Sequence, residues 1–370
     1  MSIYLAVAAY LFSAAWVDVK GTAGLKKGVC LCSIFVLSIF IGLRDETGTD
    51  WLFYEDHYTN LANGITWENY NFDIGYEGIA RLFAALGVNY NFFLFAYTAA
   101  VLSIFSLALS RLANPNFALL LFFLNYLVML MGTLRQFAAL AFVLVAVLLI
   151  NERRRFAGLL NIILAGIFHK SAILMLIFSN APLVKDLFTP KKLLIAVGFV
   201  IFLGLNGQFL FDVAMGVFSF SELITSKIVD YFVSDSALPI FYVEDKSTVF
   251  LMFAKRFAVL AIMVYLLTRH RDNSILVCSV KMYAVGVLLF SVLYSVFPAI
   301  AVRLGIYFTV FEVIGMASFR VRSLSELAVL VMFVGLCFYN FYGLLTGIDS
   351  DLLLPFKGVF INEDYERVLR

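Results

Sequence analysis

Charged side chains that interrupt or follow long apolar runs are the residues of this sequence most suited to chemistry. Arg44 follows one apolar run, Arg135 separates two runs in "GTLRQFAALAF", and Arg303 comes soon after Pro298 at the start of another. Ionised side chains are costly in apolar segments, so each of these residues is a candidate for function. Four further candidates lie in "FHKS" and "VFLMFAKRFAVLAIMVYLL": His169, Lys170, Lys255 and Arg256.

The arginines indicate an anionic ligand. A guanidinium group binds phosphate oxygens through two parallel hydrogen bonds and stays charged when it is partly desolvated. Apolar surroundings favour an amphipathic ligand with a phosphate head and an acyl chain. Trp51 and Tyr54, in "GLRDETGTDWLFYEDHY" at 42–58, offer ring faces for sugars, although aromatic residues gather at any membrane interface. For Arg44 and Arg135 taken singly, an interfacial or loop-capping role is an equal alternative.

The composition places these residues in a membrane protein. The 370 residues are 63% hydrophobic and 14% charged, with a mean hydropathy of +0.96. A soluble globular chain is about half apolar and about a quarter charged, so this sequence has too few polar residues to cover a water-facing surface. No extended basic patch for nucleic acid occurs. The four cysteines lie inside apolar runs with spacings that suit neither zinc nor a disulfide framework.

Apolar runs of about 20 residues predict the membrane-spanning helices. Clusters of Lys and Arg between them are placed in the cytoplasm, which makes the alternate loops external. The result is an all-α polytopic protein of about 10–12 spans, one transmembrane domain over 1–370, with external loops at about 44–89 and 206–248 and an external tail at 346–370. The predicted spans lie near 2–18, 28–43, 90–111, 116–133, 136–150, 192–211, 249–268, 276–297, 301–319 and 324–345.

Two segments need a separate interpretation. Residues 157–183 run from one basic cluster almost to the next, which favours two short helices that meet at "FHKS" and place His169 and Lys170 at an external tip. The alternative is a single span. Residues 75–86, "GYEGIARLFAAL", predict a short amphipathic helix at the outer interface.

Several motifs together resemble a known family. "GLRDETGTDWLFYEDHY" is similar to the "GLR…GTD…Y" signature that follows the second span in EpsG/Wzy-type polysaccharide polymerases. The resemblance continues, in the same order, through "LRQFAALAFVL", "FHKSAI", "RLGIYF" and "LPFKGVF". It covers most of the chain but finds no motif between 190 and 250. Each motif is weak alone, and their order and placement make the resemblance specific.

The resemblance implies a glycosyltransferase with a GT-C-like membrane architecture. Such enzymes move a growing glycan from undecaprenyl pyrophosphate to the non-reducing end of another lipid-linked repeat unit. They act at the periplasmic face of the bacterial inner membrane, without a nucleotide sugar, a cofactor or a bound metal. The expected partners are the undecaprenyl-pyrophosphate-linked oligosaccharide, the lipid bilayer and a chain-length regulator protein.

The chemistry of this reaction suggests roles for the candidate residues. Positive groups stabilise the charge that develops on a pyrophosphate leaving group, and a base accepts the proton of the attacking hydroxyl. The predicted catalytic residues are His169, Asp50, Arg303 and Arg135. The predicted pyrophosphate- or sugar-binding residues are Arg44, Arg256, Lys255, Lys170, Tyr54, Trp51 and Tyr307.

Other classes of membrane protein remain alternatives. An O-antigen ligase would have a similar composition and an external Arg/His site, although the motif order fits a polymerase better. A lipid-linked oligosaccharide flippase or transporter would be expected to show repeat symmetry, which is not evident in this sequence. A membrane acyltransferase would need an acyl-donor site that the sequence does not reveal.

Overall fold

The computed structural model describes residues 1–65, 72–179, 246–294 and 298–359. Within these ranges the chain is almost wholly helical, which confirms the predicted all-α polytopic class. Eight of the described helices are long and apolar enough to cross a bilayer. The chain divides into two compact units, Met1–Leu176 with Met316–Arg370, and Ile177–Gly315.

The first unit contains most of the described helices. In chain order its elements are α1 (Ser2–Lys20), α2 (Ala23–Gly42), β1 (Arg44–Asp45), α3 (Trp51–Ala62), α4 (Ile74–Ala85), α5 (Tyr90–Leu109), α6 (Pro115–Met131), α7 (Leu134–Asn151) and α8 (Arg155–Phe168). A 3-10 helix, Lys170–Leu174, follows α8, and the next helix, α9 (Met175–Ser179), contains the boundary with the second unit, which begins at Ile177. The predicted amphipathic helix at 75–86 is therefore confirmed as α4.

The second unit contains α10 (Lys246–Arg269), α11 (Ser274–Tyr294), α12 (Pro298–Thr309) and the start of α13 (Phe311–Ala317). A turn at Val310 separates α12 from α13 within the predicted span 301–319. Helices α11 and α12 pack so closely that a Cβ added at Gly286 would lie 2.5 Å from the Cβ of Phe308. The chain then returns to the first unit with α14 (Leu324–Thr346), a 3-10 helix (Ile348–Leu352) and β2 (Lys357–Gly358).

Most predicted spans coincide with these helices to within a few residues. The span predicted at 192–211 lies outside the described residues, as do most of the external loop at 206–248 and the end of the tail. Helix α6 has only 17 residues, and it is buried along nearly its whole length, as α7 is. Helices that are apolar on every face belong inside a bundle, whereas α1, α2 and α14 expose large apolar side chains suited to lipid.

The break predicted at "FHKS" is present. Helix α8 ends at Phe168, and His169 adopts an extended conformation before the 3-10 helix begins. A Cβ added at Gly166 would lie 2.6 Å from Ile173 Cγ1, so the chain folds back against the end of α8. The later part of the predicted hairpin, from 180 to 183, lies outside the described residues.

Loops rich in Lys and Arg lie together at one end of the first unit, which we call the basic end. Asp18 in α1 accepts hydrogen bonds from Asn116 Nδ2 (2.8 Å) and from the Phe117 amide (2.9 Å), and Lys26 Nζ donates to the Asp18 carbonyl. Arg111 pairs with Glu152 at 2.9 Å. The loops after α1, α5 and α7 therefore share one end, as the positive-inside pattern predicts.

At the other end, which we call the opposite end, the segment after α2 is fixed by a short sheet. Arg44 pairs with Gly358 and Asp45 with Lys357 in antiparallel register. The Gly48 amide donates to Leu352 O at 2.9 Å, and Tyr4 Oη donates to Leu353 O at 2.7 Å. Two segments more than 300 residues apart in sequence, "GLR…GTD" and "LPFKGVF", are thereby joined.

Gly48 is the tightest point of this junction. It has a φ of +111° and a Cβ there would lie 1.9 Å from Met131 O. We expect Gly48→Ala to lower the melting temperature of the purified protein sharply or to prevent folding, because the left-handed backbone and the clash with a main-chain oxygen both oppose a side chain.

Gly64→Ala is the matched control. Gly64 also has a positive φ, +71°, but nothing lies within 4 Å of an added Cβ. Its cost should therefore be confined to backbone strain, about 1 kcal/mol. Equal melting temperatures for the two variants would contradict the close approach of Gly48 to Met131.

Candidate functional site

A charged cluster lies at the opposite end of the first unit, around the start of α7. Arg135 Nη1 donates to Asp73 Oδ2 at 2.9 Å, and Arg135 Nε donates to Tyr54 Oη at 3.3 Å. The guanidinium carbon lies 4.7 Å from the centre of the Phe72 ring. We call Tyr54, Phe72, Asp73 and Arg135 the Arg135 cluster.

Asp73 connects three segments that are distant in sequence. It occupies the N-cap position of α4, yet its side chain makes no capping hydrogen bond to its own helix. One carboxylate oxygen instead accepts from Arg135, and the other accepts from the Lys170 amide at 3.4 Å. The carboxylate therefore joins the starts of α4 and α7 to the break after α8. Close packing beneath it requires Gly75, where a Cβ would lie 3.0 Å from Ile167 Cγ2.

The cluster is partly open to its surroundings. The Arg135 side chain is 24% exposed and that of Asp73 is 8% exposed. Within the described residues, Arg135 Nη2 makes no hydrogen bond, so its two N–H groups can donate to a ligand. An arginine oriented by a carboxylate and left with unused donors is suited to bind a phosphate group.

A histidine–carboxylate pair lies against the cluster. His57 Nε2 is 2.6 Å from Glu77 Oε2, and Glu77 Oε1 accepts from Arg81 Nε at 2.7 Å. The His57 ring is centred 4.1 Å from Phe72, the ring that also contacts Arg135. Burial lowers the pKa of His57, and Glu77 opposes that shift. The pair orients His57 and helps to fix Phe72.

The predicted base His169 lies at the break between α8 and the 3-10 helix. It is half-buried, and its Nδ1 lies 2.8 Å from Ser171 Oγ, which fixes the ring orientation. The preceding residue, Phe168, stacks on Phe142 with ring centres 5.5 Å apart. Lys170 is exposed, and its amide belongs to the contact with Asp73. The "FHKS" motif therefore adjoins the Arg135 cluster.

The other predicted base, Asp50, precedes α3 at its N-cap position and is half-buried. Burial raises the pKa of the Tyr54 hydroxyl; Arg135 lowers this pKa and Asp50 raises it. Asp50, Tyr54 and Arg135 are thus close enough to influence one another. A carboxylate and a histidine, Asp50 and His169, both belong to the segments that form this end of the unit.

Trp51 and Tyr54, predicted to stack on sugars, are buried in an aromatic core. Their exposed fractions are 4% and 2%. Trp51 packs edge-on against Tyr90, and Tyr54 packs against Phe72 and Tyr76. The rings serve as supports for the cluster in this structure, and sugar stacking stays a prediction.

Arg44 lies deeper than its sequence position suggests. The side chain is fully buried, with Nε donating to Thr47 O at 2.9 Å and Nη1 donating to Ile41 O. These bonds hold the turn after α2 against the end of that helix. Its predicted contact with pyrophosphate stays a prediction.

The remaining predicted site residues belong to the second unit. Arg256 Nη1 donates to Met252 O at 3.0 Å, and the guanidinium carbon lies 3.6 Å from the centre of the Phe290 ring. Lys255 is half-buried, Arg303 is exposed and Tyr307 is fully buried. The rings of Phe253, Phe290 and Tyr294 contact one another, and Arg256 lies against this aromatic group through Phe290.

Asp73, His57 and Glu77 are not among the site residues predicted from the sequence. Asp73 carries a detectable signal, since an aspartate directly before an amphipathic helix is a typical N-cap. That signal, however, predicts a local hydrogen bond, whereas the structure uses the carboxylate for Arg135, 62 residues away. Only the tertiary contact reveals the role. Within the described residues, no group of three or more His, Cys, Asp or Glu side chains is arranged to hold a metal ion.

The fold is that of a polytopic helical membrane protein, and in its first unit the charged Arg135 cluster lies at the helix ends opposite the basic loops. A family model described as the EpsG family matches residues 27–357, nearly the whole chain. The protein therefore belongs to the EpsG family, a family of Wzy-type polymerases, which indicates a glycosyltransferase-like activity in polysaccharide polymerisation. No curated protein and no solved structure matches the chain.

Glu55, in α3 next to Tyr54, makes the stability of the protein depend on pH. Burial, together with Asp45, Asp56 and Glu46, raises the pKa of Glu55 from 4.5 to about 7. The folded protein then holds this proton more tightly than the unfolded one, so the contribution of Glu55 to stability is full below pH 4.5 and is lost as the pH rises through about 7.

Glu55 should therefore lower the melting temperature of the wild type as the pH rises from about 5 to 8, against the opposite effect of the lowered His57 pKa, and Glu55→Gln should remove this Glu55-dependent loss. Asp56→Asn, which neutralises the exposed neighbouring carboxylate, should keep most of it. Equal pH dependence in the wild type and in Glu55→Gln would contradict the raised pKa.

Proposed function

We propose that this protein polymerises lipid-linked repeat units at the periplasmic face of the bacterial inner membrane. The donor is a growing glycan on undecaprenyl pyrophosphate, and the acceptor is the non-reducing end of another lipid-linked unit. The observation that carries the proposal is the Arg135 cluster, a partly exposed guanidinium held by Asp73 at the helix ends opposite the basic loops. Membership of the EpsG family supports polymerisation as the overall activity.

The orientation follows from charge. Loops rich in Lys and Arg stay in the cytoplasm, and in the first unit Lys26, Arg111 and the "ERRR" segment lie at the basic end. The opposite end, with Asp73, Arg135 and His169, then faces the periplasm. A lipid-linked substrate whose acyl chain remains in the bilayer would present its pyrophosphate at this depth.

The proposed reaction needs a stabilised leaving group. As the bond between the anomeric carbon and the phosphate oxygen breaks, negative charge develops on the lipid pyrophosphate. Arg135, preorganised by Asp73 and Tyr54, is proposed to donate to that charge through Nη2. Preorganisation matters because a guanidinium already held in place need not reorient during the reaction. In the first unit, Lys170 is proposed as a further cationic partner of pyrophosphate. In the second unit, considered by itself, Lys255, Arg256 and Arg303 are proposed to bind pyrophosphate and Tyr307 to bind sugar.

The attacking hydroxyl of the acceptor sugar forms the new bond to the anomeric carbon and loses its proton. His169 is proposed as the base that accepts this proton, with its ring oriented by Ser171. Asp50 is the second candidate base, because its carboxylate is close enough to Tyr54 and Arg135 to act on the pKa of each. In either case the products are an extended lipid-linked glycan, a free lipid pyrophosphate and a protonated base.

Arg135→Ala should abolish long polymer, because one transition-state donor of this kind typically contributes about 100-fold or more in rate. Arg135→Lys should be intermediate, since it keeps the charge but loses the planar donor pair. The measurement is the polymer length profile of a deletion strain complemented at matched membrane protein levels, followed by the rate with purified protein and lipid-linked repeat units.

Arg111→Ala is a closely matched control. Arg111 is 23% exposed and pairs with Glu152 at 2.9 Å, nearly the values for Arg135, but it lies at the basic end. It should leave the length profile unchanged. A normal profile for Arg135→Ala would overturn its role, and loss of even the single-unit product in the deletion strain would indicate ligation or export instead of polymerisation.

The polymerisation rates of variants at His169 and Asp50 distinguish between the two candidate bases. If His169 accepts the proton, His169→Ala should lower the polymerisation rate at saturating substrate far more than Asp50→Asn, while the KM for the lipid-linked unit changes little. Ser171→Ala should cause a smaller loss, because it leaves the imidazole present but less firmly oriented. A greater loss of rate in Asp50→Asn would transfer the role of base to Asp50.

A further inference from the structure

Arg44 is the most deeply buried charged side chain among the described residues of the first unit, and one of its nitrogens lacks a hydrogen-bond partner. Arg44 is fully buried, and its Nε and Nη1 donate to main-chain carbonyls, but Nη2 has no hydrogen-bond partner within the described part of the chain. No carboxylate of the described residues forms an ion pair with it. Burial lowers the pKa of this guanidinium. An unpaired donor on a buried cation is costly, so native proteins normally supply an acceptor.

Two buried tyrosines, Tyr76 and Tyr90, also carry a polar group without a hydrogen-bond partner. Tyr76 is fully buried and Tyr90 is 6% exposed, and neither hydroxyl has a hydrogen-bond partner among the described residues. Trp51 Nε1 is buried and unpartnered as well, and the Trp51 ring packs edge-on against Tyr90 at 5.9 Å. Each of these groups is a donor, and the indole and guanidinium groups can only donate.

These groups are neighbours in the fold. Tyr90 is the tyrosine that acts most strongly on the charge of Arg44, and Tyr76 also acts on it. The rings of Tyr76 and Tyr90 both contact Phe93, at 5.9 and 6.2 Å. A Cβ added at Gly42 would lie 2.5 Å from Phe95 Cα, so the end of α2, which leads into Arg44, packs against the first part of α5, the helix that begins at Tyr90. A buried water could accept from these donors, but only an acceptor that carries negative charge would also neutralise the cation.

We propose that Arg44 Nη2 and the hydroxyls of Tyr76 and Tyr90 form a buried binding site for a small monovalent anion, of the size and charge of chloride. The indole N–H of Trp51 completes the donor set on the Tyr90 side. A monatomic anion accepts hydrogen bonds from any direction, and it neutralises a guanidinium that forms no ion pair within the described part of the chain; Asp45 and Glu55, which also act on Tyr90, oppose its binding on that side. All four residues are buried, so an ion bound among them must be small.

The anion site has a structural consequence that does not depend on glycosyl transfer. Arg44 fixes the turn that carries Thr47 and Gly48, and this turn is joined to β2 and to the end of α6. A bound anion would thus stabilise the segment from which α3 and the Arg135 cluster are built. Chloride should act mainly on stability, whatever reaction the protein catalyses.

The test is thermal unfolding of the purified full-length protein in sodium chloride and in sodium gluconate at equal ionic strength, from about 1 to 100 mM. We expect the wild-type melting temperature to rise by several degrees in chloride, with saturation, and to change little in gluconate. Tyr90→Phe and Tyr76→Phe should each lose most of the chloride-specific rise, because each removes one donor to the anion.

Tyr58→Phe is the matched control. Tyr58 is a buried tyrosine of the same aromatic core, but its hydroxyl donates to Val88 O at 2.7 Å. This variant should be less stable than the wild type in both salts and keep the full chloride-specific rise. Sodium bromide should reproduce the effect of chloride.

Two results would overturn the proposal. The first is a wild-type melting temperature that is the same in chloride and gluconate, which would mean that no halide binds. The second is a chloride-specific rise that persists in both Tyr90→Phe and Tyr76→Phe, which would place the halide elsewhere. In the first case, Tyr→Phe variants more stable than the wild type in both salts would show that the hydroxyls are simply unsatisfied, since removal of an unsatisfied buried hydroxyl is stabilising.

Discussion

The contact between Arg135 and Asp73 is the interaction on which the candidate site depends. It joins the start of α7 to the start of α4, and through the Lys170 amide it also fixes the break after α8. A guanidinium within an apolar bundle is costly unless it is paired, and a pairing that leaves two N–H groups unused keeps it available for a ligand. The same carboxylate thus stabilises the fold and orients the group proposed to bind pyrophosphate.

The surroundings of this contact are built to keep it rigid. Phe72 lies between His57 and Arg135, and Glu77 fixes His57. Beneath them, the buried Arg44 holds the turn after α2. Charged groups at this end therefore divide into those that are buried and support the backbone and those that are partly exposed and can meet a substrate. The degree of burial, more than the residue type, decides whether a charged group here supports the backbone or can contact a substrate.

The sequence was sufficient to predict the class, most spans and the shared end of the basic loops, because these depend on hydrophobic length and on local charge. It also located the break at "FHKS", where a polar pair interrupts an apolar run. It could not predict that Arg44 would be fully buried, since both an interfacial and a buried arginine can follow a helix. Nor could it pair Asp73 with Arg135, because that contact depends on how α4 packs against α7 and α8.

A double-mutant cycle shows whether Asp73 acts through Arg135. The measurement is the polymerisation rate of purified wild type, Asp73→Ala, Arg135→Ala and the double variant with the same lipid-linked repeat unit. We expect the double variant to be no slower than Arg135→Ala alone, because removal of the guanidinium leaves Asp73 nothing to orient. Losses that add in free energy would show that the two residues act independently and would contradict this expectation.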